Sequence, residues 1–110
     1  MSYLPPELLR NPYAPPEERF LRRMEIASLL RRSRRLAGLS FGQVSLATMI
    51  DGPALARYER GYQYPSDGRT EHILATISRL TAEGVGDPVK AARAKAEYEA
   101  FDAGTGWHAE

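Results

Sequence analysis

The chain contains no cysteine, which excludes disulfide staples, Cys-ligated zinc and thiol catalysis and fits a reducing, cytoplasmic setting. Histidine is scarce: His72 and His108 are the only two, and neither stands at metal-site spacing from a second ligand. His72 follows Glu71 directly, and neighbours one apart on a helix do not face each other. No apolar run approaches the roughly 20 residues that a membrane span requires. The start, Met1-Ser2-Tyr3-Leu4-Pro5-Pro6-Glu7, lacks a basic segment followed by an apolar one, so no secretory signal is expected. Gly-rich phosphate loops and nucleophile motifs are missing too, and no Ser or Asp has an evident base beside it. These absences point away from an enzyme, and they leave no metal or cofactor to expect.

What is present suits one globular unit with a modest core: 110 residues, 43% hydrophobic and 26% charged. The formal net charge of +1 conceals an uneven distribution. Residues 1–79 carry 12 basic and 8 acidic side chains, whereas residues 80–110 carry 3 basic and 6 acidic ones. A basic body with an acidic tail favours an anionic partner for the body. Thirteen of the 15 basic residues are Arg, whose planar fork suits phosphate and carboxylate.

Along the chain, Tyr3-Leu4-Pro5-Pro6-Glu7 recurs ten residues later as Tyr13-Ala14-Pro15-Pro16-Glu17. Pro suits a first helical turn and Glu complements its positive end. A short helical turn is therefore expected near 6–10, a break at Asn11-Pro12, and a second helix start near Pro16. The arm is expected to pack on the body; a peptide-like docking role is the alternative.

From Glu17 to Ala37 nothing breaks a helix. Phe20, Met24 and Ala27 form one stripe, and Ile26, Leu29, Leu30 and Leu36 lie close to another. Gly38 offers a stop, and Ser40 can cap a short helix over 41–48. Asp51 can cap a third, with Pro53 tolerated in its first turn and Gly61 at its end. Residues 62–68 read as loop, with Tyr62 and Tyr64 expected to close over the core. Ile73, Leu74, Ile77 and Leu80 predict a fourth helix over 70–82. A fifth, Ala-rich, is expected over 88–102 with Ala94, Tyr98 and Phe101 on one side. The Gly-flanked Trp107 in the tail is expected to dock on its own body or on a partner chain. The pattern gives an all-α fold: an arm over 1–16, a helical domain over 17–82, and a C-terminal helix with tail over 83–110.

Residues 29–66 resemble the lambda-repressor-like, Cro-type helix-turn-helix family. Ala37-Gly38-Leu39-Ser40 opens the resemblance, Arg57-Tyr58-Glu59-Arg60-Gly61 closes it, and Tyr64-Pro65-Ser66 follows. The spacing between these words is the family's, and Val44, Ile50, Leu55 and Tyr58 fall where the motif packs its two helices. The resemblance implies a helix-turn-helix bundle, here with an extended first helix, a Pro-rich arm and an extra C-terminal helix. It implies double-stranded DNA as partner, a phage or bacterial transcriptional regulator as role, and a homodimer reading two half-sites.

The positions aligned with base reading are Gly52, Pro53, Ala54 and Arg57. Arg57 is the expected main reader, Ala54 a contact for a thymine methyl, and Arg60, Gln63 and Arg69 backbone neighbours. The Arg-rich first helix would add phosphate contacts, and Glu59 would pair with one of its arginines. Three departures stand out. Met49 replaces a turn Gly, so an altered turn is expected. Thr48 replaces Leu, with burial lost. Phe41 replaces a polar phosphate contact. The alternative is a helix-turn-helix scaffold that serves protein–protein interaction or assembly, through its small-residue face, the N-terminal arm or the C-terminal helix.

Overall fold

In the computed structural model the described residues are 3–9, 11 and 13–103, with only the backbone of Glu7, and they form five α-helices and no strand. A 3-10 turn, Pro6–Leu8, precedes α1 (Pro16–Leu36), α2 (Phe41–Thr48), α3 (Gly52–Glu59), α4 (Asp67–Ala82) and α5 (Pro88–Asp102). None of these helices is long and apolar enough to cross a membrane. The expectations for Pro12 and for Trp107 fall outside the described residues.

Helix α1 begins with Pro16 and has Glu17 and Glu18 in its first turn and Arg34 and Arg35 in its last, the polarity that suits a helix dipole. It stops at Gly38, which takes φ +70. There the Gly38 and Leu39 amides donate back to the Arg35 and Arg34 carbonyls at 3.0 and 3.1 Å. Ile26, Ala27 and Leu30 of α1 are buried, and with Val44 of α2, Leu55 and Tyr58 of α3 and Ile73, Leu74, Ile77 and Leu80 of α4 they form the core. Each fully buried aliphatic side chain stabilises the fold by about 1.5–3 kcal/mol. Helices α3 and α4 both lie against α1 and α2, while α5 lies against α1.

Two of the departures resolve differently from expectation. Met49 adopts the left-handed conformation, φ 65, and so keeps the turn that a Gly would make. A non-glycine residue there costs roughly 1–2 kcal/mol. The residues on either side of it are tied down. Thr48 is buried, donates its hydroxyl to the Val44 carbonyl at 2.7 Å and accepts from the Ile50 amide at 3.2 Å. Ile50 is itself in the core, and Asp51 caps α3 by accepting from the Ala54 amide at 2.7 Å. The hydroxyl of Thr48 thus does what a Leu side chain cannot, and its burial is not lost. Nε2 of His72 donates to the Thr48 carbonyl at 3.0 Å, tying α4 to the end of α2.

Ser40 caps α2 in a reciprocal box with Gln43: the Gln43 amide donates to the Ser40 hydroxyl at 3.1 Å, and the Ser40 amide to Gln43 Oε1 at 2.9 Å. Helix α4 starts at Asp67, three residues ahead of the expected position 70, because Ser66 accepts from the Arg69 amide and draws Asp67-Gly68 into the first turn. Tyr64 packs against the core as expected, but Tyr62 does not: it is 74% exposed. The N-terminal arm packs on the body. Leu4, Leu8 and Ala14 are buried, and the Tyr3 and Leu4 amides donate to the Glu71 carboxylate at 2.7 and 2.8 Å.

Helix α5 folds back on the C-terminal half of α1. Asp87 accepts from the Val89 and Lys90 amides and so caps it. Its amide donates to the Gly38 carbonyl at 2.9 Å. The approach is backbone to backbone, since a Cβ on Gly38 would strike Asp87 and one on Gly86 the Ala37 carbonyl. Ala94 is buried in this contact, and Tyr98 lies under the guanidinium groups of Arg32 and Arg35, at 4.4 and 5.4 Å. Phe20, Leu21, Met24 and Phe101 stay at least partly exposed, so α5 covers only part of the apolar surface of α1.

Candidate nucleic-acid interface

The outward face of α3 follows from its inward one. Ala54, Leu55, Tyr58 and Glu59 are buried, which by helical periodicity turns Pro53, Arg57 and Arg60 outward. Helix α3 ends as α1 does: Gly61 takes φ +75, and the Gly61 and Tyr62 amides donate to the Tyr58 and Arg57 carbonyls. That ending brings Gln63 back beside the last turn, where Arg57 Nε donates to its Oε1 at 3.0 Å. Arg57, Arg60 and Gln63 are exposed together along this free edge.

The other expected contacts are placed differently. Ala54 is only 7% exposed and belongs to the core, so its methyl fills the α3 interior instead of facing outward. Gly52 is half-buried and Pro53 exposed, and neither brings a polar side chain. Arg69 is exposed, but its Nη1 donates to the Tyr58 hydroxyl at 2.8 Å, which holds it over the α3–α4 junction.

Among the described residues, five of the seven arginines of α1 make ion pairs or hydrogen bonds inside the molecule, and Arg19 and Arg23 do not. Arg22 pairs with Glu18 and donates to the Leu9 carbonyl. Arg31 donates to the Glu59 carbonyl at 2.8 Å. Arg32 pairs with Asp102, and Arg35 with Glu97. The bond to Glu97, and after it the one to Tyr98, hold Arg35 more firmly cationic than an ordinary guanidinium. Arg34 meets Glu59 as a bidentate pair at 2.7 and 3.0 Å, both side chains largely buried, as the sequence led one to expect for Glu59. Its Nη1 also donates to the Leu39 carbonyl, and its guanidinium lies 4.0 Å from the Phe41 ring centre. Phe41 therefore works as a lid on this pair, half-buried, where a phosphate contact was aligned.

Two large apolar side chains on the segment that leads into α3 face solvent. Leu46 is 82% and Met49 89% exposed. With Gly42 they recur at i, i+4 and i+7, Gly42 and Leu46 on α2 and Met49 at its C-cap, while Val44 and Thr48 of the same helix are buried. The signal was available, since a residue two after Val44 must point away from it. From Ser40 to Ala56 the only charged residue is Asp51, the cap of α3. Among the described residues no group of His, Asp and Glu could hold a metal ion. Compared with models of protein families, with curated proteins and with solved structures, the chain matches none.

Proposed function

We propose that the chain binds double-stranded DNA by a lambda-repressor-like helix-turn-helix, with α3 in the major groove. The observation that carries this reading is the exposed edge of Arg57, Arg60 and Gln63 on a capped helix that follows a left-handed turn. Arg57 reads base edges, held at a fixed angle by Gln63, and Arg60 meets the phosphate backbone. Gly52 and Pro53 let the helix start come close to the groove without adding donors. With one long polar reader per unit, two copies on adjacent half-sites supply the remaining specificity. A regulator of transcription, phage or bacterial, is the role such a domain fits.

Anisotropy of a random duplex at low and raised salt tests this. Binding should weaken steeply with salt, Arg60→Ala should flatten the slope by about one, and Arg57→Ala should cost about 1–3 kcal/mol on a selected site. No binding at low salt sinks the proposal. One observation favours the protein-interaction reading instead: Leu46 and Met49 are exposed in a stretch, Ser40 to Ala56, whose only charged residue is Asp51, where DNA phosphates would want cations. Leu46→Arg separates the two, because it strengthens duplex binding in the first reading and abolishes partner binding in the second.

A further inference from the structure

We propose that the cleft between the end of α1 and the first half of α5 is a binding site for a phosphate group. It measures about 210 Å³, with Leu39 and Ala94 in its wall and Arg34, Arg35, Lys90 and Arg93 around it. A water takes about 30 Å³ of the liquid, so a phosphate monoester fits with part of its hydration.

Four cations and no carboxylate line this space. The acids that neutralise Arg34 and Arg35 are Glu59, on α3, and Glu97, farther along α5, and neither belongs to the lining. Glu97 would be the natural partner of Arg93 four residues before it, but Arg35 holds its Oε1 at 2.6 Å. Arg93 is thereby left over. Lys90 stands three residues before it on the same face, and neither side chain has an ion pair or hydrogen bond among the described residues. Asp87, the nearest acid in sequence, has Oδ1 accepting from the Val89 and Lys90 amides at 2.9 and 3.4 Å. Two like charges one turn apart repel, and an anion between them and the arginines relieves that repulsion. Arg offers phosphate a planar fork and Lys a point charge, which is the pairing that a tetrahedral dianion satisfies best.

The walls are fixed relative to each other. The Asp87 amide bonds to the Gly38 carbonyl, and the two glycines at 38 and 86 bring the backbones into direct contact. The site is therefore preformed, and it shares no residue with the edge of Arg57, Arg60 and Gln63, so it does not rest on the DNA reading. Its phosphate could be that of a free ester or of a nucleic-acid backbone.

The test is a titration of the full chain with inorganic phosphate, against sodium chloride at equal ionic strength, followed by amide NMR shifts. Saturable shifts at Gly38, Leu39, Lys90, Arg93 and Ala94 with phosphate alone are expected. Lys90→Ala/Arg93→Ala, at exposed positions with unchanged melting, should weaken binding about tenfold or more, on the order of 1.4 kcal/mol. Shifts that do not saturate, that chloride reproduces, or that persist in the double variant overturn the site. Adding a short duplex to the phosphate-saturated chain then identifies the source. Displacement assigns the site to backbone phosphate, and retention to free phosphate esters.

Discussion

Helices α4 and α5 are nearly equal in length, 16 and 15 residues, yet they are held in opposite ways. Helix α4 buries Thr70, Ile73, Leu74, Thr76, Ile77 and Leu80, whereas α5 buries Ala94 alone. The first is a helix because the core needs one of its faces. The second is a helix because Ala91, Ala92, Ala94, Ala96 and Ala100 favour it intrinsically and Asp87 caps its start. Beyond the Asp87–Gly38 backbone bond at its start, its side chains hold α1 through one alanine, a tyrosine under two arginines and two ion pairs at the surface. Such pairs contribute about 0–1 kcal/mol each and weaken with salt. The lesson is that charge decides very different things in the two regions: buried between α1 and α3 it is structural, and exposed between α1 and α5 it is a latch.

The sharpest way to break that contrast is to remove the buried partner. Glu59→Ala leaves Arg34 charged and largely enclosed, so a loss of about 3–5 kcal/mol is expected. At about 4–8 °C per kcal/mol, thermal melting by circular dichroism should collapse. A loss under about 1 kcal/mol would show that water reaches the pair.

Next in size is Gly61→Val. A Cβ there sits at φ +75 and 2.5 Å from Met24 Sδ, and a loss above about 2 kcal/mol is expected from strain and contact together. Because the obstacle is the end of a flexible side chain, Met24→Ala should return part of the loss. An unchanged melting temperature in the single variant would mean that the α3 ending is misplaced.

Met49→Gly works in the other direction. It removes the left-handed strain of about 1–2 kcal/mol but adds backbone freedom to the unfolded chain, about 0.4–1 kcal/mol. A small net gain in the denaturation midpoint, at constant slope, is expected in urea. A lower midpoint would mean that the Met49 side chain packs on something despite being exposed.

The smallest effect concerns the latch. Arg35→Gln should change global stability by less than about 1 kcal/mol, yet amides of 88–102 should exchange faster than those of α4, and faster again in salt. Equal protection in the two helices, at low and high salt, would erase the distinction between them.

Much of this was legible along the chain. The ends of α1, α2, α3 and α5 follow from Gly38, Ser40, Asp51, Gly61 and Asp87, since capping and left-handed glycines act over three or four residues. The burial of Val44, Ile50, Leu55 and Tyr58 is what the resemblance over 29–66 implied, and the pairing of Glu59 with an α1 arginine followed from an acid set where it would repel phosphate. What failed was local. The Ser66 cap starts α4 three residues ahead of the position that its apolar spacing predicts, and Tyr62 faces outward where closure over the core was expected.

The sequence by itself determined the helices, their caps and the apolar stripes that face inward, because these depend on neighbours within one or two turns. Only the tertiary structure decided which charges are spent and which are free. Glu71 receives the arm from 67 and 68 residues away, Glu97 takes Arg35 across 62, and Arg93 is left without its neighbour as a result. A charged side chain reaches several ångströms in any direction and meets whatever the fold brings there, so its partner is a property of the packed chain and not of its spacing.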